Sequence, residues 1–217
     1  MSSPRTTTTY ALLGLLMARP WTTYELAKQV HRSLNWFWPR AERKLYDEPK
    51  RLVADGLATA TKAATGKRPR TVYGITNAGR AELRRWLGEP PAPRSSEFEG
   101  MVKVFFADAG SLSQLTTTLN RIEEEAAERI GALAAMAAVG ADVPEFPERL
   151  HINALCLRLQ LEQEATVLRW ADWARDSVGE WKDARDPGSW DARAVLTRLA
   201  ADARAVTAVV EPHARPA

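Results

Sequence analysis

The chain of 217 residues has one cysteine, Cys156, and three histidines, His31, His151 and His213. A lone thiol forms no internal disulfide, and the scattered imidazoles do not supply the closely spaced ligands of a Cys/His zinc site, so no structural metal is expected. No glycine-rich phosphate loop precedes a helix. No nucleophile stands beside a histidine in a recognisable motif, and no pair of carboxylates rises above ordinary surface charge, so neither an enzyme nor a bound cofactor is expected. Long apolar runs are missing too: the longest, Tyr10 to Ala18, is nine residues, against about 20 for a bilayer span. It follows Arg5, but Arg19 and Pro20 interrupt it without a small-residue cleavage site. We read it as a buried helix in a cytoplasmic chain without a membrane anchor.

What is present is a globular balance of 45% hydrophobic and 26% charged residues, enough to core one or two domains. The net charge of +3 hides an asymmetry. Residues 1–90 carry 16 Lys and Arg against 7 Asp and Glu, a net of +9, while the remainder carries 14 against 20, a net of −6. A basic module joined to an acidic one suggests a polyanion-binding head on a body with another task. Gly88, Pro90, Pro91, Pro93, Ser95 and Ser96 mark the linker between them, which neither helix nor central strand would tolerate. The expected domains are 1–92 and 93–217.

In the basic half, Thr9 is a candidate cap for a short buried helix carrying Leu12, Leu13, Leu15, Leu16 and Met17, which Pro20 stops. Thr22 or Thr23 caps the next, with Tyr24, Leu26, Ala27, Val30 and Leu34 at helical spacing. A third helix is expected from Pro39, a favoured first residue, to a left-handed cap at Gly56. At 100° per residue, Ala41, Leu45 and Leu52 share its packed side, and Arg40, Arg43, Lys44, Asp47 and Arg51 the other. Leu57–Lys62 and Arg70–Thr76 then read as a hairpin with the basic tip Thr65-Gly66-Lys67-Arg68-Pro69. A further helix runs from Thr76-Asn77 to Trp86-Leu87. Three helices and a two-stranded hairpin make a winged helix-turn-helix, and the fold class is mainly α.

A helix about 10–12 Å wide fits the major groove of double-stranded DNA, where base edges are read, while phosphates supply most of the salt-dependent affinity. Arg40, Arg43 and Lys44 occupy the half of the third helix that helix-turn-helix proteins point at bases; Lys67, Arg68 and Arg70 suit flanking phosphate or the minor groove. The alternative is a winged helix used for protein or RNA contacts, with the basic face incidental.

These residues also carry a family resemblance. YALLGLL at 10–16, TYEL at 23–26, LNWFWPRAERKLYDEPKRLVADGL at 34–57 and GKRPRTVYGITNAGRAELRRWL at 66–87 resemble the PadR family of bacterial transcriptional regulators. EFEGMVKVFFADAGS at 97–111 and the helix through Trp173 are similar to the acidic helical domain of its longer subgroup. The resemblance implies a homodimeric winged helix repressor whose C-terminal helices make the dimer and help form an effector site. Two departures stand out: Thr23 replaces the glycine that many relatives have there, and Pro49 sits within the third helix, where a kink is expected. A tail from about Trp181, with a helix from Trp190 to Val210, extends past the family pattern.

In the acidic half, Leu115, Leu119, Ile122, Ala126, Ile130 and Leu133 form a helical stripe, followed by a loop around Gly140 to Pro147. The next helix is apolar on two sides. Leu155, Leu159, Thr166, Trp170 and Trp173 mark one, and Ala154, Leu157, Leu161, Ala165 and Leu168 the other, so a second subunit is expected to cover what one chain cannot. The chain has eight tryptophans. Trp36 and Trp38 either pack between the domains or join Trp170 and Trp173 in walling a site for a flat aromatic effector between the domains. Operator, effector and controlled genes are not legible.

Overall fold

The computed structural model describes residues 5–36, 42–65, 68–94 and 97–210, with the backbone alone at 42–44, 63–65, 68–69 and 209–210. The chain forms two compact units. One is the chain up to about residue 95 together with Pro144–Ile152, and the other is the rest.

The first unit starts with α1 (Thr7–Ala18). Its N-cap is Thr6 rather than Thr9. Thr9 is buried and otherwise occupied: its hydroxyl accepts the Thr6 amide at 3.1 Å and donates to the carboxylate of Glu48. The Arg19-Pro20 stop leads into β1 (Trp21–Thr22) and α2 (Thr23–Gln29). Thr22 caps α2 reciprocally: its hydroxyl accepts the Glu25 amide at 3.3 Å, and its own amide donates to the Glu25 carboxylate at 2.7 Å. This is the S/T-x-x-E box, which satisfies two amides that the helix itself cannot. A π-helical turn, Val30–Leu34, continues α2.

Helix α3 is Glu42–Ala54. Pro39, expected to open it, lies outside the described residues. The helix runs through Pro49, whose ring is fully buried, and the missing amide leaves the Leu45 carbonyl without its intrahelical donor. Leu45, Glu48 and Leu52 share that buried side, while Tyr46, Asp47, Lys50 and Arg51 are exposed. Gly56 follows with φ 71°, the left-handed cap its position predicts.

The wing is β2 (Ala58–Thr65) and β3 (Arg68–Ile75), antiparallel with Ala58 opposite Ile75 and Thr65 opposite Arg68. The strands extend further toward the tip than the sequence suggests. The sheet also has a third, short member, because β1 pairs with β3 through Trp21 and Tyr73 and gives the order β1-β3-β2. Helix α4 (Asn77–Leu87) returns to α1: the rings of Tyr10 and Trp86 stack with centroids 4.6 Å apart. The core gathers Leu12, Leu13, Leu16, Leu26 and Leu52 around Trp21, whose indole N–H donates to the Leu15 carbonyl at 2.8 Å.

The segment Pro144–Ile152 belongs to this unit although it lies far along the chain. Phe146 sets its ring 6.0 Å from that of Trp21, Arg19 lies over the Trp21 face at 3.4 Å, and Glu145 pairs with Arg19 at 3.9 Å and with Arg32.

The second unit contains α5 (Glu99–Phe105), a 3-10 turn (Ala107–Ala109), α6 (Leu112–Asp142), most of α7 (Leu150–Gly179) and α8 (Ala192–Val210). Ser111 and Gln114 form a second reciprocal cap at the start of α6. The α6 stripe is buried at Leu115, Leu119, Ile122, Ala126 and Leu133. Arg129 bonds Glu164 at 2.7 Å and Arg175 pairs with Glu123, which braces α6 against α7.

Candidate nucleic-acid interface and small-molecule cavity

The proposed reading residues fall on two elements of the first unit. Arg43 and Lys44 are in the first turn of α3, Arg68 is the first residue of β3, and Arg70 is exposed on that strand opposite Ala63. Arg40 and Lys67 lie outside the described residues. Position 43 precedes exposed Asp47 by four residues and Lys50 by seven, which puts it on the same helical row. Tyr46 and Lys50 on α3, and Lys62 on β2, are exposed on the same two regions. Helical spacing from Arg43 would have found the first two.

Elsewhere in this unit, ionised groups join α4 to α1 and cap α2. Glu82 on α4 accepts from Arg85 at 2.7 Å and from the Tyr10 hydroxyl at 2.9 Å, and it pairs with Arg5 at 2.6 Å. The bond from Arg85 leads in holding its carboxyl down at about 2, with Tyr10 and Arg5 adding to it. Burial, reinforced by the neighbouring carboxylate, pushes the Tyr10 hydroxyl above its ordinary range. Glu25 is held below the usual carboxylate range chiefly by the Thr22 amide of its cap.

Of the proposed effector residues, Trp170 and Trp173 border one cavity in the second unit, with a volume of about 340 Å³. Its other aromatic walls are Phe105, Trp181 and Trp190. Trp181 and Trp190 are visible in the sequence as tryptophans, but only the loop joining α7 to α8 brings them here. Trp36 belongs to the first unit, where its indole N–H donates to the Arg32 carbonyl at 3.2 Å. Trp38 lies outside the described residues. Among the described residues no helix is long and apolar enough to cross a membrane.

Comparison with known proteins matches two family models: Transcriptional regulator PadR-like family over residues 12–85, and Virulence activator alpha C-term over residues 99–178. A Mycobacterium tuberculosis protein described as "Probable transcriptional regulator Rv1176c" is 27% identical over 186 residues, covering 79% of this chain and 97% of its own. The Bacillus subtilis "Negative transcriptional regulator PadR" is 31% identical over 99 residues, covering 45% and 54%. The fold is shared with crystal structures of B. subtilis PadR. The complex with operator DNA has a TM-score of 0.72 at 24% identity, covering 81% of this chain and 99% of that one. The complex with p-coumaric acid has a TM-score of 0.63 at 23% identity, covering 81% and 100%. These relatives are regulators rather than enzymes. The basic winged helix thus carries a PadR-like transcriptional regulator domain, and the acidic helices carry a virulence-activator-type C-terminal region.

Proposed function

We propose that this regulator is a repressor that binds a palindromic operator as a homodimer, through the 1–92 winged helix domain, and is released by a small apolar or aromatic effector bound to the acidic dimerisation domain, 93–217. The observation that carries the DNA reading is the concentration of +9 on the first 90 residues in a unit that presents an exposed α3 row beside a wing. Arg40, Arg43 and Lys44 read bases, and Lys67, Arg68 and Arg70 hold backbone or minor groove. The B. subtilis relative described as a negative regulator supports repression, and its complex with p-coumaric acid supports an aromatic effector.

Helix α7 supports the dimer. Leu155 is 70% exposed and Leu159 52% exposed in the single chain, and two such rows on one helix leave apolar surface that a two-fold partner covers. An effector at Trp170 and Trp173 releases DNA by binding better to a dimer whose reading heads are mis-spaced than to the DNA-competent one. Selection of bound sequences from random duplex DNA tests the reading. A palindromic consensus is expected. A pool without enrichment, together with binding of single-stranded RNA or a protein, would favour the alternative use of the winged helix.

A further inference from the structure

Helix α8 (Ala192–Val210) lies beyond the family match, which ends at residue 178, and it has a firm start but an open face. The Asp191 carboxylate accepts the Ala194 amide at 3.0 Å and caps the first turn. Ahead of the cap, the loop from Gly179 is built. The Asp183 carboxylate accepts the amides of Arg185 and Asp186 at 2.7 and 2.9 Å, Arg185 donates to the Asp108 carbonyl at 2.7 Å, and Gly188 turns the chain at φ 62°. The Trp190 ring lies 5.5 Å from that of Trp181, so α8 begins beside the C-terminal end of α7.

Ala192, Leu196, Leu199, Ala203 and Val206 recur at alternating spacings of four and three, the seam of a helix that packs on another helix. That seam is open in the single chain. Leu196 is 66% exposed, Leu199 56% and Val206 66%, and of the side chains described on α8 only Val195 is half-buried. A helix of this length draws its stability in water mainly from a packed apolar face, and its own chain does not supply one.

Two observations identify the cover as a second copy of this chain. The first is reach. The chain's own open apolar row, Leu155 and Leu159, lies toward the other end of α7. At a rise of about 1.5 Å per residue, Leu159 is about 30 Å before Gly179, whereas Val206 is only about 21 Å into α8. Laid straight back along its own α7, the α8 seam stops short of Leu159. A two-fold axis that runs two α7 helices antiparallel brings the open row of each toward the α8 origin of the other, and makes the contact twice. The second observation is charge. Residues 91–191 carry 10 Lys and Arg against 18 Asp and Glu, whereas α8 carries Arg193, Arg198 and Arg204 against Asp202. A basic helix is drawn to that acidic body, and two α8 helices paired with each other would repel.

We propose that α8 is an exchanged arm whose Leu196–Leu199–Val206 seam packs on the Leu155–Leu159 row of the partner subunit's α7, reciprocally across the two-fold axis. The proposal rests on the homodimer reading and names the surface that completes that dimer.

The test uses the single cysteine of the chain. Cys156 is exposed on α7 between Leu155 and Leu159, and a short bismaleimide joins it to a second cysteine placed on α8 of the full-length chain. Ala203→Cys, on the seam, is expected to give a covalent dimer whose linked peptides join position 156 of one chain to 203 of the other. Ala205→Cys, on the opposite side of the helix, is expected to give little of the corresponding product. Both positions are exposed, so neither substitution disturbs packing within the chain. In sedimentation equilibrium, Leu196→Glu with Leu199→Glu should raise the dimer dissociation constant at least about tenfold, while Thr197→Glu with Ala205→Glu, off the seam, should leave it unchanged. Linkage of 203 to 203, linkage of 156 to 203 within one chain, equal yields from positions 203 and 205, or a Leu196→Glu/Leu199→Glu variant that dimerises like the parent would each overturn the proposal. The two levels separate cleanly. If Leu155→Glu with Leu159→Glu disrupts the parent dimer but the α8 variants do not, this proposal alone falls; a parent that is monomeric at micromolar concentration removes the homodimer reading itself.

Discussion

At the residue scale, the proposed roles of Arg43 and Arg68 are two kinds of contact with different signatures. A bidentate guanidinium contact to a base edge discriminates sequence, so Arg43→Ala should cost about 1–3 kcal/mol on the cognate operator and less on random duplex. A phosphate contact releases a counterion and reads nothing, so Arg68→Ala should weaken every duplex alike and lower the salt slope by about one. Binding titrations at several salt concentrations distinguish the two. Glu82 gives a separate test of the scaffold. Its folded carboxyl titrates at about 2, below the ordinary 4.5, so the ionised form contributes stability that is complete above the unfolded value and is lost as pH falls through the folded one. Glu82→Gln should therefore cost about 1–3 kcal/mol near neutrality, and the gap to the parent should narrow below about pH 4.5 and close only below about pH 2. Denaturant unfolding across that range measures it.

At the scale of elements, α3 and α7 show how one helix serves two surfaces. In α3 the packed side accepts a proline and an ionisable residue, Glu48, because Pro49 needs no partner for an amide it lacks and Glu48 receives the Thr9 hydroxyl. The exposed row of the helix is left to Tyr46, Asp47 and Lys50. In α7, Ala171, Ala174 and Val178 are buried within the chain, while Leu155 and Leu159 remain exposed. Placing charge on that row tests the dimer directly. Leu155→Glu with Leu159→Glu should give a monomer at micromolar concentration by light scattering, and it should weaken operator binding about 100-fold or more through loss of simultaneous engagement of two half-sites. A double variant that remains dimeric would move the interface elsewhere.

At the scale of the whole molecule, the chain leaves its first unit and returns to it once. The connection from α6 to α7 contributes Phe146 against Trp21 and Glu145 against Arg19 and Arg32, so the winged helix unit is completed by residues some fifty positions beyond the linker. A fragment ending near Pro93 lacks that cover and leaves the Trp21 face open. Phe146→Ala in the full chain should destabilise the first unit by about 1–3 kcal/mol, since the ring is partly buried. Because the same connection joins the two long helices of the second unit, the variant should also show a smaller effect of a bound ligand on operator affinity while still binding that ligand. Thermal unfolding and ligand-dependent operator titration read these two outcomes separately.

Local chemistry written along the chain settles much of this protein. Thr22 with Glu25, Pro20 after Ala18, and Gly56 after α3 are stop and start signals acting within a few residues, and the charge division near residue 90 requires only counting. The winged helix order and the α6 stripe follow from periodicity for the same reason. The features that sequence alone does not yield depend on residues distant along the chain. Thr9 reads as a cap along the chain because the partner of its hydroxyl, Glu48, lies 39 positions away; Glu82 looks like surface charge until Arg5, Tyr10 and Arg85 converge on it. Trp181 and Trp190 become parts of one cavity only once Arg185 ties their loop to the Asp108 carbonyl, 77 positions earlier. Periodicity and capping report the local energy of a segment, whereas burial, paired charge and cavities are set by which segments meet, and that the tertiary structure alone decides.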